Sequence, residues 1–333
     1  MTLEVPASRR DGLARIAARL TPGLRVVLAT HVNADGDGAG SETALAGWLR
    51  RCGLQPTIVN PTPFPAVFDF LRDGVGAWTP SDEEGRRALV EADFFLVLDT
   101  AEPGRLGAVA PYFASREVLT IDHHPPVTPP LGELSVRDPS ACATGEMVFD
   151  LLAVAGEAPT LREAEGLYVA IVTDTGSFRF ANTSPRAHEI VARLLRVGVD
   201  PETMYRRLFA TSTPESLALL RRALGTLRVH PELPVASIRV SAEDLAETGT
   251  SRDDVEGIVE YARRLRGVEI AVLLRALPDG RTKVSLRAAG EADVAAVARA
   301  LGGGGHTKAA GALVGADLDT AEEAVLEAIR SAR

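Results

Sequence analysis

The sequence predicts an α/β protein: a larger N-terminal domain built on a parallel sheet, and a smaller C-terminal α/β domain reached through a helical connector. Three observations predict it. Short apolar runs alternate with amphipathic segments through the first two-thirds of the chain, as in parallel strands covered by helices on both faces. A segment with helical leucine spacing, closed by Pro231 and Pro234, separates that region from a second set of elements. The length of 333 residues suits about two domains of roughly 100–200 residues each.

Buried strands are predicted at 25–30 (RVVLAT), 56–60 (PTIVN), 93–99 (DFFLVLD) and 117–122 (EVLTID), where apolar and β-branched residues cluster. Helices are predicted near 40–52, 82–92, 143–155, 161–172 and 186–197. Pro61, Pro63 and Pro65, then Pro125, Pro126, Pro129 and Pro130, break the pattern and mark loops. Ser212-Thr213-Pro214-Glu215 reads as a helix start, and Leu217, Leu220, Leu224 and Leu227 follow at helical spacing. Beyond it, strands are predicted at 235–240, 268–276 and 283–288, and helices at 251–265, 291–301 and 319–331. The resulting division is a domain over 1–210, a connector over 211–233 and a second domain over 234–333.

Composition narrows the function. Hydrophobic residues make up 46% and charged residues 24%, a balance that excludes a disordered or fibrous chain. The longest unbroken apolar run, 167–172, falls far short of the roughly 18 residues of a membrane span. The N-terminus carries Glu4, Arg9, Arg10 and Asp11 in place of an apolar signal core, so a cytoplasmic protein with no membrane partner is expected. Cys52 and Cys142 are too few for a disulfide scaffold or a cysteine-rich zinc module. The formal charge of −9 argues against long nucleic acid as a stable partner. A phosphate substrate stays open, because bound divalent cations reverse the sign of an acidic cleft.

Of six histidines, three stand beside aspartates at the ends of apolar runs. In the segment His31-Val-Asn33-Ala-Asp35-Gly-Asp37, alternate residues of an extended chain share a side, so His31, Asn33, Asp35 and Asp37 can face one space. A solvated Asp-Gly turn is the plainer reading. Asp99 closes FFLVL, where a carboxylate faces the crevice at the carboxyl edge of a sheet. A helix cap before Thr100 is the alternative. Asp122-His123-His124 closes the next run; neighbouring side chains diverge, so one imidazole can bind metal while the other faces substrate. Asp174 in TDTGSFRF is a further ligand or a cap. Imidazole with carboxylate suits Mn²⁺, Fe²⁺ or Zn²⁺. The set is about what two cations and a bridging carboxylate need for phosphoryl transfer. In the C-terminal part, GGGGH at 302–306 either lets backbone N–H groups approach an anion or serves as a linker. Arg287 in VSLR is a phosphate partner or an ordinary surface arginine.

These residues stand in the order of the four motifs of DHH-family phosphoesterases, and GGGGH followed by Ala309-Ala310-Gly311 resembles the DHH-associated C-terminal domain. With TDTGSFRF, NTSP and SLR, the chain most resembles the nanoRNase / pAp-phosphatase type. The resemblance implies two lobes facing a cleft that holds the active site, with two Mn²⁺ ions in the N-terminal lobe. His31, Asp35 and Asp99 would hold one ion and Asp37, Asp99, His123 and Asp174 the other, with Asp99 bridging. His124 would contact the scissile phosphate or leaving group, and Asp122 would orient a neighbouring imidazole. Arg287, Gly304, Gly305 and His306 would hold the far end of the substrate. The implied activity is hydrolysis of very short RNA oligonucleotides and of the 3′-phosphate of adenosine 3′,5′-bisphosphate (pAp). A cyclic-dinucleotide or linear dinucleotide phosphodiesterase is the alternative on the same scaffold. A nucleotide-binding sensor without turnover is the reading from another class, disfavoured by intact ligands at every motif. A homodimer stays open as the oligomeric state.

Overall fold

The computed structural model describes residues 3–72, 74–126, 129–255 and 257–332. The chain divides into two compact units, Met1–Ala210 and Thr211–Arg333.

In the first unit, β1 (Arg25–Ala29), β2 (Gln55–Val59), β3 (Ala77–Trp78), β4 (Phe94–Leu98), β5 (Glu117–Asp122) and β6 (Leu134–Arg137) form one sheet. Their order is β3-β2-β1-β4-β5-β6 and every pair is parallel. The predicted strands are the central four; β3 and β6, of two and four residues, are too short to leave a pattern. Side chains alternate between two cores. Val26 and Leu28, with Phe94, Leu96 and Leu98, face α1 (Ala7–Ala17), α2 (Gly36–Arg51), α4 (Thr144–Val154), α5 (Leu161–Asp174) and α6 (Pro185–Val197). Val27, Ala29, Phe95 and Val97 face Leu89 of α3 (Glu83–Glu91) and Leu106, Val109 and Phe113 of the 3-10 segment Pro103–Ser115. Strand order reverses between β1 and β4, and such a switch point opens a crevice beyond the carboxyl ends of the strands.

Two packing features aim the helices at that crevice. α2 and α5 run antiparallel and close together: a Cβ on Gly40 would stand 2.3 Å from the carbonyl oxygen of Gly166. This brings the first turn of α2, with Asp37, to the last turn of α5, with Asp174. The second feature is Arg9, 1% exposed. Its Nε donates to Asp150 at 2.8 Å and its Nη1 to Asp138 at 3.1 Å, and Nη2 bonds Glu146. Arg186 of α6 also pairs with Glu146 and Asp150. Sequence reading missed α1 because its inward face begins with this arginine ahead of Leu13 and Ile16. α7 (Pro201–Leu208) was likewise not foreseen.

The second unit has β7 (Arg228–His230), β8 (Val235–Val240), β9 (Ile270–Ala276), β10 (Thr282–Ala288), β11 (Gly304–His306) and β12 (Ala309–Val314) in the order β11-β12-β10-β9-β8-β7. β8 and β9 are parallel and the other pairs antiparallel. α8 (Pro214–Gly225) occupies the expected connector and packs in this unit, with Leu219 and Ala223 against Ile238 and Val240. α9 (Ala242–Thr248) was not predicted. The helix expected over 251–265 is instead a 3-10 turn at Asp253–Val255 and α10 (Val259–Arg263), parted at Gly257, whose φ is 85°. Glu256, in that span, and Val127 and Thr128, in the proline-rich stretch, lie outside the described residues. α11 (Val294–Ala300) and α12 (Leu318–Ser331) cover the opposite face. No helix among the described residues is long and apolar enough to cross a membrane.

Removing Arg9 leaves buried carboxylates short of a counter-charge. Arg9→Met should destabilise the chain by about 3–5 kcal/mol in urea unfolding. A loss below about 1 kcal/mol would mean that Arg186 alone neutralises the cluster.

Candidate metal centre and active site

β1, β4 and β5 lie side by side, so the residues at their carboxyl ends form a row: His31, Asp99, then Asp122, His123 and His124. The backbone turns sharply at these points. Among the described residues, the non-glycine residues at positive φ are Asn33 (55°), Asp99 (62°), Ser177 (58°) and Phe178 (65°). All lie on loops that carry candidate ligands, and each costs roughly 1–3 kcal/mol of backbone strain.

Asp99 is the centre of the cluster. His31 Nε2 stands 3.3 Å from Asp99 Oδ2 and 3.8 Å from Asp35 Oδ2. His123 Nε2 stands 3.5 Å from Asp99 Oδ1, 3.6 Å from Asp37 Oδ2 and 3.7 Å from Asp174 Oδ2. Three groups thus have donor atoms within 4.8 Å of one another: His31, Asp35 and Asp99; Asp37, His123 and Asp174; and Asp99, His123 and His124. Asp99 turns Oδ2 toward His31 and Oδ1 toward His123 and His124. Asp35 is both ligand candidate and cap, since its Oδ1 accepts the N–H groups of Asp37 and Gly38 at 3.0 and 3.1 Å and opens α2.

The donor set fits divalent cations. His31 Nδ1 faces the carbonyl oxygen of Val32 at 2.9 Å and His123 Nδ1 that of Ala141 at 3.4 Å. With Nδ1–H donating, each Nε2 keeps its lone pair for a metal. Both Nε2 atoms are buried and have no hydrogen-bond partner among the described residues. Donors about 2.1 Å from a shared ion stand roughly 3.0–3.5 Å apart, so these spacings are those of co-ligands more than of ion pairs.

His124 differs. Its Nδ1 lies 2.8 Å from Asp122 Oδ1, which also accepts its backbone N–H at 3.0 Å. That hydrogen bond raises the imidazole's pKa. Burial lowers the pKa of His31 and, together with His124, that of His123. Burial and then neighbouring carboxylates raise Asp37 and Asp99 well above the carboxylate range, and lift Asp174 to about 6.

Several supporting residues escaped sequence reading. At the N-terminus of α4, the N–H groups of Thr144 and Gly145 donate to Asp37 at 2.6 and 2.9 Å, and Thr144 Oγ1 donates to Asp99 Oδ1 at 3.0 Å. Asn182 Nδ2 bonds the carbonyl oxygens of Cys142 and Asp174 and also Asp174 Oδ2. Only the helix start near 143 hinted at this, since a helix N-terminus favours a carboxylate. Behind β1, Asn60 accepts the Thr30 N–H at 2.9 Å and donates to Glu42 at 2.9 Å. Full burial lifts Glu42 to about 8.

The residues expected to hold the far end of the substrate lie in the second unit. Lys283, Ser285 and Arg287 alternate with buried Val284 and Leu286 along β10 and line an open depression of about 490 Å³. Arg287 Nε stands 3.6 Å from Glu260 Oε1. Gly304, Gly305 and His306 form the edge strand β11, paired with Gly311, Ala310 and Ala309. A Cβ on Gly305 would stand 2.5 Å from Ala310 Cα, whereas one on Gly304 would meet nothing within 4 Å. The His306 side chain lies outside the described residues.

Imidazoles and carboxylates gathered around a shared aspartate at the carboxyl edge of a parallel sheet define an enzyme with a metal-dependent hydrolytic site. Residues 25–171 match the DHH family, N-terminal domain, and residues 234–332 match the DHHA1 domain. The bifunctional oligoribonuclease and PAP phosphatase NrnA of Thermus thermophilus is 37% identical over 309 residues, 92% of this chain and 89% of that protein. NrnA of Bacillus subtilis is 27% identical over 293 residues, 87% of this chain and 89% of its own. A solved exopolyphosphatase-related protein from Bacteroides fragilis has the same fold, with a TM-score of 0.89 at 24% identity, covering 99% of this chain and 98% of that one. The chain belongs to the DHH family.

Two outcomes test the site. Mn²⁺ should raise the melting temperature and a chelator should reverse the shift, because a ligand of the native state stabilises it. Asp99→Asn should abolish most of that shift. Without metal, however, Asp99→Asn should melt no lower than the parent, since one like charge leaves a buried cluster. Glu42 makes a separate prediction. The folded chain keeps a proton on Glu42 up to about 8, while the unfolded chain releases it near 4.5. Stability should therefore fall as pH rises between those values, and Glu42→Gln should flatten the fall in urea unfolding.

Proposed function

We propose that the chain hydrolyses very short RNA oligonucleotides and removes the 3′-phosphate of pAp, using two Mn²⁺ ions. The observation that carries the chemistry is Asp99 between two imidazole-carboxylate sets. The substrate class is supported by the Thermus and Bacillus relatives, whose names give both activities. Free Cys52 and buried free Cys142 suit action in a reducing cytoplasm.

His31, Asp35 and Asp99 would hold one cation; Asp37, Asp99, His123 and Asp174 would hold the other. When bound, the ions polarise the phosphoryl group and acidify the attacking water. Thr144 and Gly145 keep Asp37 oriented, and the Thr144 hydroxyl does the same for Asp99. Asp122 fixes the His124 ring through Nδ1, which leaves Nε2 for the scissile phosphate or the leaving oxygen. Arg287 and the β11 edge at Gly304, Gly305 and His306 would hold the far end of the substrate.

The test is turnover of a diribonucleotide, pAp, a long single strand and a cyclic dinucleotide by the Mn²⁺-loaded protein. The first two should be the best substrates; preference for the cyclic dinucleotide would replace this reading with a cyclic-dinucleotide phosphodiesterase. Arg287→Ala should lower kcat/KM for dinucleotide and pAp by about 10- to 150-fold, the worth of one charge-assisted contact. It should leave hydrolysis of a small activated phosphodiester nearly unchanged.

A further inference from the structure

The N-terminal site gathers Asp35, Asp37, Asp99, Asp122 and Asp174, so beside the cations those carboxylates would hold, a phosphate is best met by a cationic side chain that no carboxylate has claimed. Arg105 is such a side chain. It lies in the 3-10 segment that follows Asp99, where its carbonyl oxygen accepts the N–H of Val32 at 2.8 Å. Val32 is the residue after His31, so this bond ties the segment to the loop that presents His31. The same contact continues at Gly107, where a Cβ would touch Val32 Cγ1 at 3.5 Å. Leu106, between them, is fully buried and anchors the segment in the core.

The Arg105 side chain is half-buried, yet it has no hydrogen-bond or ion-pair partner among the described residues. Arg9, Arg51, Arg186 and Arg239 in this chain all bind carboxylates. Partly burying a guanidinium without a counter-charge is costly, and the cost persists where a ligand supplies that charge. The charge of Arg105 is also felt at both His31 and His124, the imidazoles on either side of Asp99. A planar guanidinium fork matches two phosphate oxygens in a way a lysine does not.

We infer that Arg105 is a further catalytic residue, whose guanidinium contacts the scissile phosphate in the N-terminal site. The inference rests on the phosphoesterase reading above. It assigns Arg105 to the reacting group itself, whereas Arg287 is assigned to the distant end of the substrate.

That difference makes the test. Arg105→Ala and Arg105→Lys are compared with the parent, all Mn²⁺-loaded, on a diribonucleotide and on bis(p-nitrophenyl) phosphate. Arg105→Ala should lose about 10²- to 10³-fold in kcat/KM on both substrates, as when one preorganised donor to a developing charge is removed. Arg105→Lys should fall between the two. Metal content and melting temperature should hold, and added guanidinium should restore part of the Arg105→Ala activity, which it would not do for a merely structural defect. Activity within threefold of the parent, or a loss that follows lost metal, would overturn the assignment. If the parent turns over neither substrate, the phosphoesterase reading fails by itself. Binding of inorganic phosphate to the Mn²⁺-loaded proteins then decides for Arg105: weaker binding by Arg105→Ala supports the contact, and equal binding overturns it.

Discussion

Asp37 and Asp99 are nearly waterless carboxylates, each 1% exposed, standing among other carboxylates. An arrangement of that kind is unfavourable on its own, and the first domain is organised to hold it. The parallel sheet aligns the strand ends that deliver His31, Asp99 and His123. The tight α2–α5 packing delivers Asp37 and Asp174 from opposite chain directions. The N-terminus of α4 supplies two N–H donors to Asp37 and a hydroxyl to Asp99. Cations complete the balance, which is why the same cluster is both a liability without metal and a site with it.

Much of this was legible in the sequence because the first domain follows one rule repeatedly. An apolar run buried on both faces ends in an ionisable residue, and the run fixes the strand while its end fixes the location of the chemistry. β1, β4 and β5, with His31, Asp99 and His123 beyond their ends, fall under that rule, while Asp35, Asp37 and Asp174 stand at helix ends beside it. What was hidden has no period. α1 turns an arginine inward; β3, β6, β7 and β11 are edge strands of a few residues; and the helix expected over 251–265 is broken at Gly257. Thr144 and Asn182 were invisible for a different reason. Thr144 matters through contacts far away in sequence, 45 positions to Asp99 and 107 to Asp37, and Asn182 joins Asp174, 8 positions away, to Cys142, 40 away.

The glycines after 301 show how one sequence feature admits two physical explanations. Gly303 and Gly305 are required by the close approach of β12, because any Cβ there would strike backbone. Gly304 meets nothing. A tract that reads as a flexible cradle is thus held by packing at two positions; Gly302 and Gly304 are free of that requirement, and Gly302 instead holds a φ of 73°.

The Arg9 cluster also sets an order of events during synthesis. Arg9 leaves the ribosome 129 residues ahead of Asp138 and 141 ahead of Asp150. At about 5–20 residues per second, that is an interval of roughly 7–30 s. During it Arg9 lacks the carboxylates that neutralise it. The aspartates at residues 35, 37 and 99 are already made, but the α4 N–H groups that hold them are not. Helix α4 brings both deficits to an end together: it carries Glu146 and Asp150 to Arg9, and Thr144 and Gly145 to Asp37. The charge balance of the first domain is therefore incomplete until α4 has emerged. A nascent chain stalled before α4 would leave Arg9 without Glu146 and Asp150, and Asp37 without the N–H groups of Thr144 and Gly145.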